Sequence, residues 1–241
     1  MPTPSVRRPP TRAKGRSLGG TLVLVAAAGA LPLVAPAAQA QAGRAALADP
    51  PANIPRTPAM ETACRNGSSA GCQQVVLRAI DRARAAEGLG PLKLPGYYNG
   101  LTTAQQLFVL ADLERVDRGL PGFTGMSSQL DGLAGTGAAS NADPIGPAGT
   151  SWGSNWAGGE ASALLADYDW MYDDGPGSPN LDCGRVTDTG CWDHRQNVLA
   201  NYGAHPSIGA AATRVNGVTS MTELFSSSAG GVLEFTLRAP A

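Results

Sequence analysis

Apolar residues in this 241-residue chain change their spacing once, and no other feature limits the fold as tightly. From Val76 to Met171 they recur at helical intervals, whereas beyond Ile208 they alternate. A period of 3.6 turns one stripe of a helix toward a core, and a period of 2 turns one face of a strand toward it. Helices followed by strands imply an α+β layer architecture.

Val76, Ile80, Ala83 and Glu87 mark one line of a helix over residues 73–87, and Gly88 is free to take the left-handed conformation that ends it. Thr103 with Gln106 reads as a capping box opening a second helix, with Leu107, Leu110, Leu113 and Val116 as its buried stripe. Within it, Glu114, Arg115, Asp117 and Arg118 are expected to form a solvated, salt-bridged face. Ser127 or Ser128 caps a weaker helix through Leu130, Leu133 and Ala134, and residues 135–150, rich in Gly, Ala and Pro, read as a surface loop. A fourth helix covers residues 162–172. Residues 208–215, an Asn216-Gly217 turn and residues 218–225 make a hairpin, because that dipeptide accepts positive φ at both central positions. Gly230-Gly231 turns the chain into a last strand over residues 233–237, giving three antiparallel strands.

The first forty residues read as a secretory signal peptide. Arg7, Arg8, Arg12, Lys14 and Arg16 precede an apolar run, and Ala38-Gln39-Ala40 supplies a small-x-small cleavage site. Residues 41–60 are Ala/Pro-rich and read as a linker or mobile arm, which leaves 61–241 as the folded domain. Cutting after Ala40 removes five basic residues, leaving thirteen Lys and Arg against nineteen Asp and Glu, a net charge of −6. That balance opposes a nucleic-acid partner, and no later segment is apolar enough to span a bilayer. The expected product is a secreted monomer. In an exported chain the four Cys are expected as two disulfides. Three pairings are open, of which Cys64–Cys72 and Cys183–Cys191 are favoured because each closes a short loop bearing Gly.

Chemistry-bearing residues concentrate between Ser151 and Tyr202. All four Trp lie there, with Cys183, Cys191 and His194, one of only two His in the chain. The segment SNWAGG, the pair Trp170-Met171, the run DHRQNVL from Asp193 to Leu199, Tyr202 and Ile208-Gly209-Ala210 follow one another in order, after a helix that ends in ARAAEGLGPL. Taken together these resemble the bacterial branch of the CAP superfamily (cysteine-rich secretory, antigen 5 and pathogenesis-related proteins, or SCP-like domains). The resemblance implies an α-β-α sandwich with a central antiparallel sheet flanked by helices. It also implies a cleft with two His and two acidic residues, which in some members bind a divalent metal. His194 matches one His of that set and Asp173 one acid. Ser154 stands where the other acid is usual, no His precedes His194, and Glu160 lies nearby but at a different position.

Two ligands are too few for a closed metal site, so no metal and no cofactor is expected. The acids around Asp173 lack calcium-loop spacing, and Ser154 lacks the G-x-S-x-G setting of a nucleophile. The expected function is a non-catalytic extracellular module binding a small molecule, a lipid or a cell-wall component in a cleft at Ser154, Asn155, Trp156, Glu160, Asp173 and His194. The alternative is a secreted hydrolase using His194 with Asp173 or Ser154. Cys183→Ser should destabilise the oxidised protein by roughly 2–5 kcal/mol; an unchanged urea midpoint would show that Cys183 is in no native bridge.

Overall fold

The computed structural model describes residues 48–237, and the signal peptide expected over residues 1–40 lies outside them. The helices are α1 (Pro58–Cys64), α2 (Ala70–Ala86), α3 (Thr103–Val116), α4 (Ser128–Ser140), α5 (Ala163–Tyr172) and α6 (Asp193–Leu199). The strands are β1 (Met126–Ser127), β2 (Trp152–Gly158), β3 (Ser207–Val215), β4 (Val218–Ser226) and β5 (Leu233–Phe235). The fold is α+β.

The sheet order is β2-β4-β3-β1-β5, with β1 parallel to β3 and every other neighbour antiparallel. The sheet is therefore mixed, where an antiparallel one was expected. Val215 pairs with Val218 around Asn216 (φ 51°) and Gly217 (φ 82°), the positive-φ turn read from the sequence. The last strand does not return beside β4 as a simple meander. That edge of β4 is already occupied by β2, in register from Trp152↔Ser226 to Gly158↔Ser220, so residues 227–232 carry the chain across to β1.

Alternate residues of β4 enter different cores, as the pleat requires. Met221 and Phe225 join Ile208 and Ala210 against Phe108, Leu110, Tyr168 and Met171 of α3 and α5. Leu224 faces the other way, onto Leu130 and Ala134 of α4, so helices cover both faces of the sheet. A side chain at Gly209 would collide with the backbone of Leu130, which is why glycine stands where α4 crosses β3. Both disulfides form as favoured, with Cα–Cα distances of 4.7 Å for Cys64–Cys72 and 4.5 Å for Cys183–Cys191.

Other expectations shift. Thr102 and Gln105, not Thr103 and Gln106, form the capping box, since Thr102 keeps an extended backbone while Thr103 is already helical. α4 continues to Ser140 and ends on Asn141 in the left-handed conformation, so part of the expected 135–150 loop is helix. Burial against the sheet outweighs the cost of its glycines, roughly 1 kcal/mol each. Order also begins before Cys64: residues 48–57 lie against α5 and α6, held by Asn53, Ile54 and Arg56, although Ala/Pro content suggested a mobile arm.

The largest correction concerns α3. Glu114, Arg115 and Arg118 are buried rather than solvated. Glu114 Oε2 accepts from Arg84 Nη1 at 2.7 Å and from Arg118, while Glu114 Oε1 accepts from Tyr172 Oη at 2.9 Å. Glu87 then joins Arg118 (2.6 Å) to Arg195 (3.0 Å). Arg115 points elsewhere, donating to the carbonyls of Val198 (2.6 Å) and Ala200 (2.8 Å) at the end of α6. Removing one partner of a buried ion pair leaves the other charge uncompensated, at about 3–5 kcal/mol. Glu114→Ala should therefore lower unfolding free energy by about that amount, read as a large drop in the urea midpoint; a drop no larger than a surface substitution gives would refute the network's role.

Candidate functional site

β2 is an edge strand whose outward backbone groups need partners, since open edges invite unwanted pairing. Side chains from the helices supply them. Trp170 Nε1 donates to the Trp156 carbonyl at 3.2 Å, and Asn197 Nδ2 donates to the Ser154 carbonyl at 2.8 Å. Asn197 also donates to Asn155 Oδ1 (3.2 Å), and Asn155 Nδ2 donates to the His194 carbonyl (3.2 Å). These bonds fix α6 against β2, and with it the position of His194.

The start of α6 is built on Asp174. Trp192, the residue before the helix, sits at φ 66° and gives no side-chain cap. Its N–H donates to the Asp174 carbonyl at 3.0 Å, and its indole lies over Gly175, where a Cβ would collide. Asp174 Oδ2 accepts the backbone N–H of His194 (3.0 Å) and Arg195 (3.4 Å), doing from a distance what a cap does locally. Asp174 Oδ1 accepts from His194 Nδ1 at 2.6 Å and from Asn180 Nδ2 at 2.7 Å. One buried carboxylate thus caps a helix and orients an imidazole, leaving Nε2 as the ring nitrogen open to a ligand.

His194 had been matched with Asp173 in the sequence; the structure pairs it with Asp174. Asp173 ends α5 and is turned toward residues 53–56, accepting from Asn53 Nδ2 and from the Arg56 N–H (3.3 Å). Both acids nevertheless line one cleft of about 260 Å³, with Trp156, Glu160, Asp169, Trp170, Asp143, Asp182, Asn180 and His194 in its wall. Ser154 and Asn155 do not line it. Ser154 is engaged through its carbonyl, and Asn155 is fully buried as a brace. The sequence offered no means of choosing Asp174 over Asp173, because adjacent acids after a helix look alike. Nor did it signal Asp143, Asn180 or Asp182, which reach the cleft from loops.

Burial raises the carboxyls of Asp143, Asp173 and Asp174 above the ordinary range and Asp169 further still. For His194 burial acts in the opposite direction. The Asp174 hydrogen bond and the charges of Asp174, Asp143 and Asp182 outweigh it, so the imidazole is raised above its usual value. A shared metal does not fit these donors: Asp174 is committed to His194 Nδ1, and Asp173 is turned to Asn53. Among the described residues no three His, Cys, Asp or Glu are placed to hold one ion. No family model, curated protein or solved structure matches the chain.

A raised imidazole means that the folded state favours the charged ring. Its contribution to stability is full below the unfolded value near 6.5 and is lost as pH rises through the folded value. In NMR titration His194 should show a midpoint above about 6.5, and Asp174→Asn should lower it, because the main opposition to burial, the Asp174 hydrogen bond and charge, is then removed. A wild-type midpoint at or below about 6.5 would contradict the pairing.

Proposed function

We propose that the chain is a secreted CAP-like domain whose cleft binds a small polar ligand without transforming it. The supporting observation is the make-up of the cleft wall. About 260 Å³ is bounded by Trp156 and Trp170 together with six carboxyl groups, one of which, Asp174, is paired with His194. Indole surfaces suit the apolar face of a sugar ring. Carboxylates suit hydroxyl or ammonium donors. An acyl chain would cover Asp143 and Asp182 without offering them a donor, so a cell-wall component bearing amino or hydroxyl groups is favoured over a lipid. The resemblance in sequence order agrees with this reading, as do helices on both faces of the sheet and two disulfides.

The oriented imidazole supports a second reading, in which His194 acts as general base in hydrolysis of a cleft-bound substrate. Ser154 is no nucleophile in it, since Ser154 lies outside the cleft wall, so water would be the attacking group. His194→Ala separates the two: general-base catalysis is worth about 10²–10⁴-fold in turnover, whereas a binder loses only part of its affinity.

Calorimetry with glucosamine oligomers, N-acetylglucosamine oligomers and a long-chain fatty acid tests the first reading. The amino sugar should bind best, and Asp143→Asn with Asp182→Asn should weaken it by about tenfold or more, roughly 1.4 kcal/mol. Preferential binding of the fatty acid, or an unaffected double variant, would sink it.

A further inference from the structure

Residues 48–56 form neither helix nor strand, yet they are fastened at several points. The Ala48 carbonyl accepts from Arg195 (3.3 Å), and Asp49 accepts from Gln196 (2.9 Å). The Ile54 N–H donates to the Tyr172 carbonyl (2.9 Å), while the Ile54 carbonyl accepts from Tyr168 Oη (3.0 Å). Arg56 Nε donates to Asp169 Oδ1 at 2.7 Å, and its Nη2 lies 2.5 Å from Glu160. Pro50, Pro51 and Pro55 lack the N–H a sheet ladder needs and restrict the segment when it is free. Docking the segment therefore costs less conformational entropy than it would for an ordinary loop.

Asn53 has a particular place in this clip. Its Nδ2 donates to Asp173, and its Oδ1 accepts the Gly175 N–H at 2.9 Å. It thus grips the residues on either side of Asp174, the carboxylate that holds His194. Neither Asn53 nor Arg56 lines the cleft. We propose that residues 48–56 are a detachable clip whose Asn53 positions Asp174, and through it the His194 imidazole, so that seating or lifting this segment sets the cleft from outside it. Lifting it leaves the 173–175 turn held on one side only and strips Arg56 from Glu160 and Asp169. The ring then loses its orientation as the wall becomes more negative. The clip rests on the geometry of the His194–Asp174 pair and holds whichever ligand the cleft takes.

The test uses the full chain. Asn53→Asp is isosteric and keeps the acceptor for Gly175, but replaces the donor to Asp173 with a second carboxylate. Two NMR quantities report the result: exchange of the Ile54 amide, which reads the clip, and the His194 titration midpoint, which reads the dyad. N53D should speed Ile54 exchange by at least about tenfold and lower the His194 midpoint by at least about half a unit, against the added negative charge, which by itself raises it. Adding Asp173→Asn restores a donor opposite the new carboxylate and should return both quantities to wild type. Faster Ile54 exchange with an unmoved His194 midpoint would make the segment mere packing and overturn the proposal. So would no change in either quantity, or a midpoint that the double variant leaves shifted. Should N53D fail to fold, Asn53→Ala replaces it: it removes both contacts to residues 173–175 without changing any charge, and it should speed Ile54 exchange and lower the His194 midpoint, an unmoved midpoint overturning the proposal.

Discussion

Glu114 is the interaction on which the rest of the structure depends. Its carboxylate is fully buried at the junction of α2, α3 and α5, where it receives Arg84, Arg118 and Tyr172. A carboxylate there is tolerated only because each oxygen has charged or hydroxyl donors. Through Arg118 the arrangement passes to Glu87 and on to Arg195, the residue directly after His194. Arg195 also donates to the Met171 carbonyl at 2.8 Å. The core charges and the cleft are therefore connected: α5, which meets Glu114, leads into Asp174, and the chain of charges runs on through Glu87 to Arg195 of α6, the helix that presents His194.

Five residues of the motifs around the cleft serve as frame. Asn155, Trp170 and Asn197 close the edge of β2, Gly209 lets α4 approach the sheet, and Arg195 anchors α6. None of these tasks requires a complete set of cleft ligands. Frame and cleft chemistry are thus specified by different residues.

Elements whose signal is local were readable in the sequence. The Asn216-Gly217 hairpin depends on backbone freedom at two positions, the α2 stripe on spacing, and each short disulfide loop on proximity along the chain. What escaped was long-range. Glu114, Arg115 and Arg118 show the same pattern whether they face water or buried partners such as Arg84, Glu87 and the Val198 carbonyl, 30 residues or more away, because sequence periodicity reports polarity and not partners. The crossing of the last strand to β1 depends on β2 already holding the edge of β4. Within the candidate site, His194 and the Trp-rich strand were visible as rare residues gathered in one window. The choice of Asp174 over Asp173 rests on where α5 stops turning, and a boundary error of one residue reverses it. Residues 48–56 were misjudged because proline-rich composition fits a free linker and a pre-ordered clip equally well.

The electrostatics of the cleft show which part of it is unfinished. Burial lifts the carboxyls of Asp143, Asp169, Asp173 and Asp174, so keeping each of them charged opposes folding. Positive groups offset this unevenly. Arg56 serves Asp169 and Glu160, its N–H and Asn53 serve Asp173, and His194 with Asn180 serves Asp174. For Asp143 the charge of His194 and a backbone N–H of Trp156 oppose its burial, and burial still prevails. A cationic group of a ligand placed beside Asp143 would offset the remaining deficit, and it would gain there what the fold leaves unbalanced. At Asp169 and Glu160 the chain supplies that positive charge itself, through Arg56.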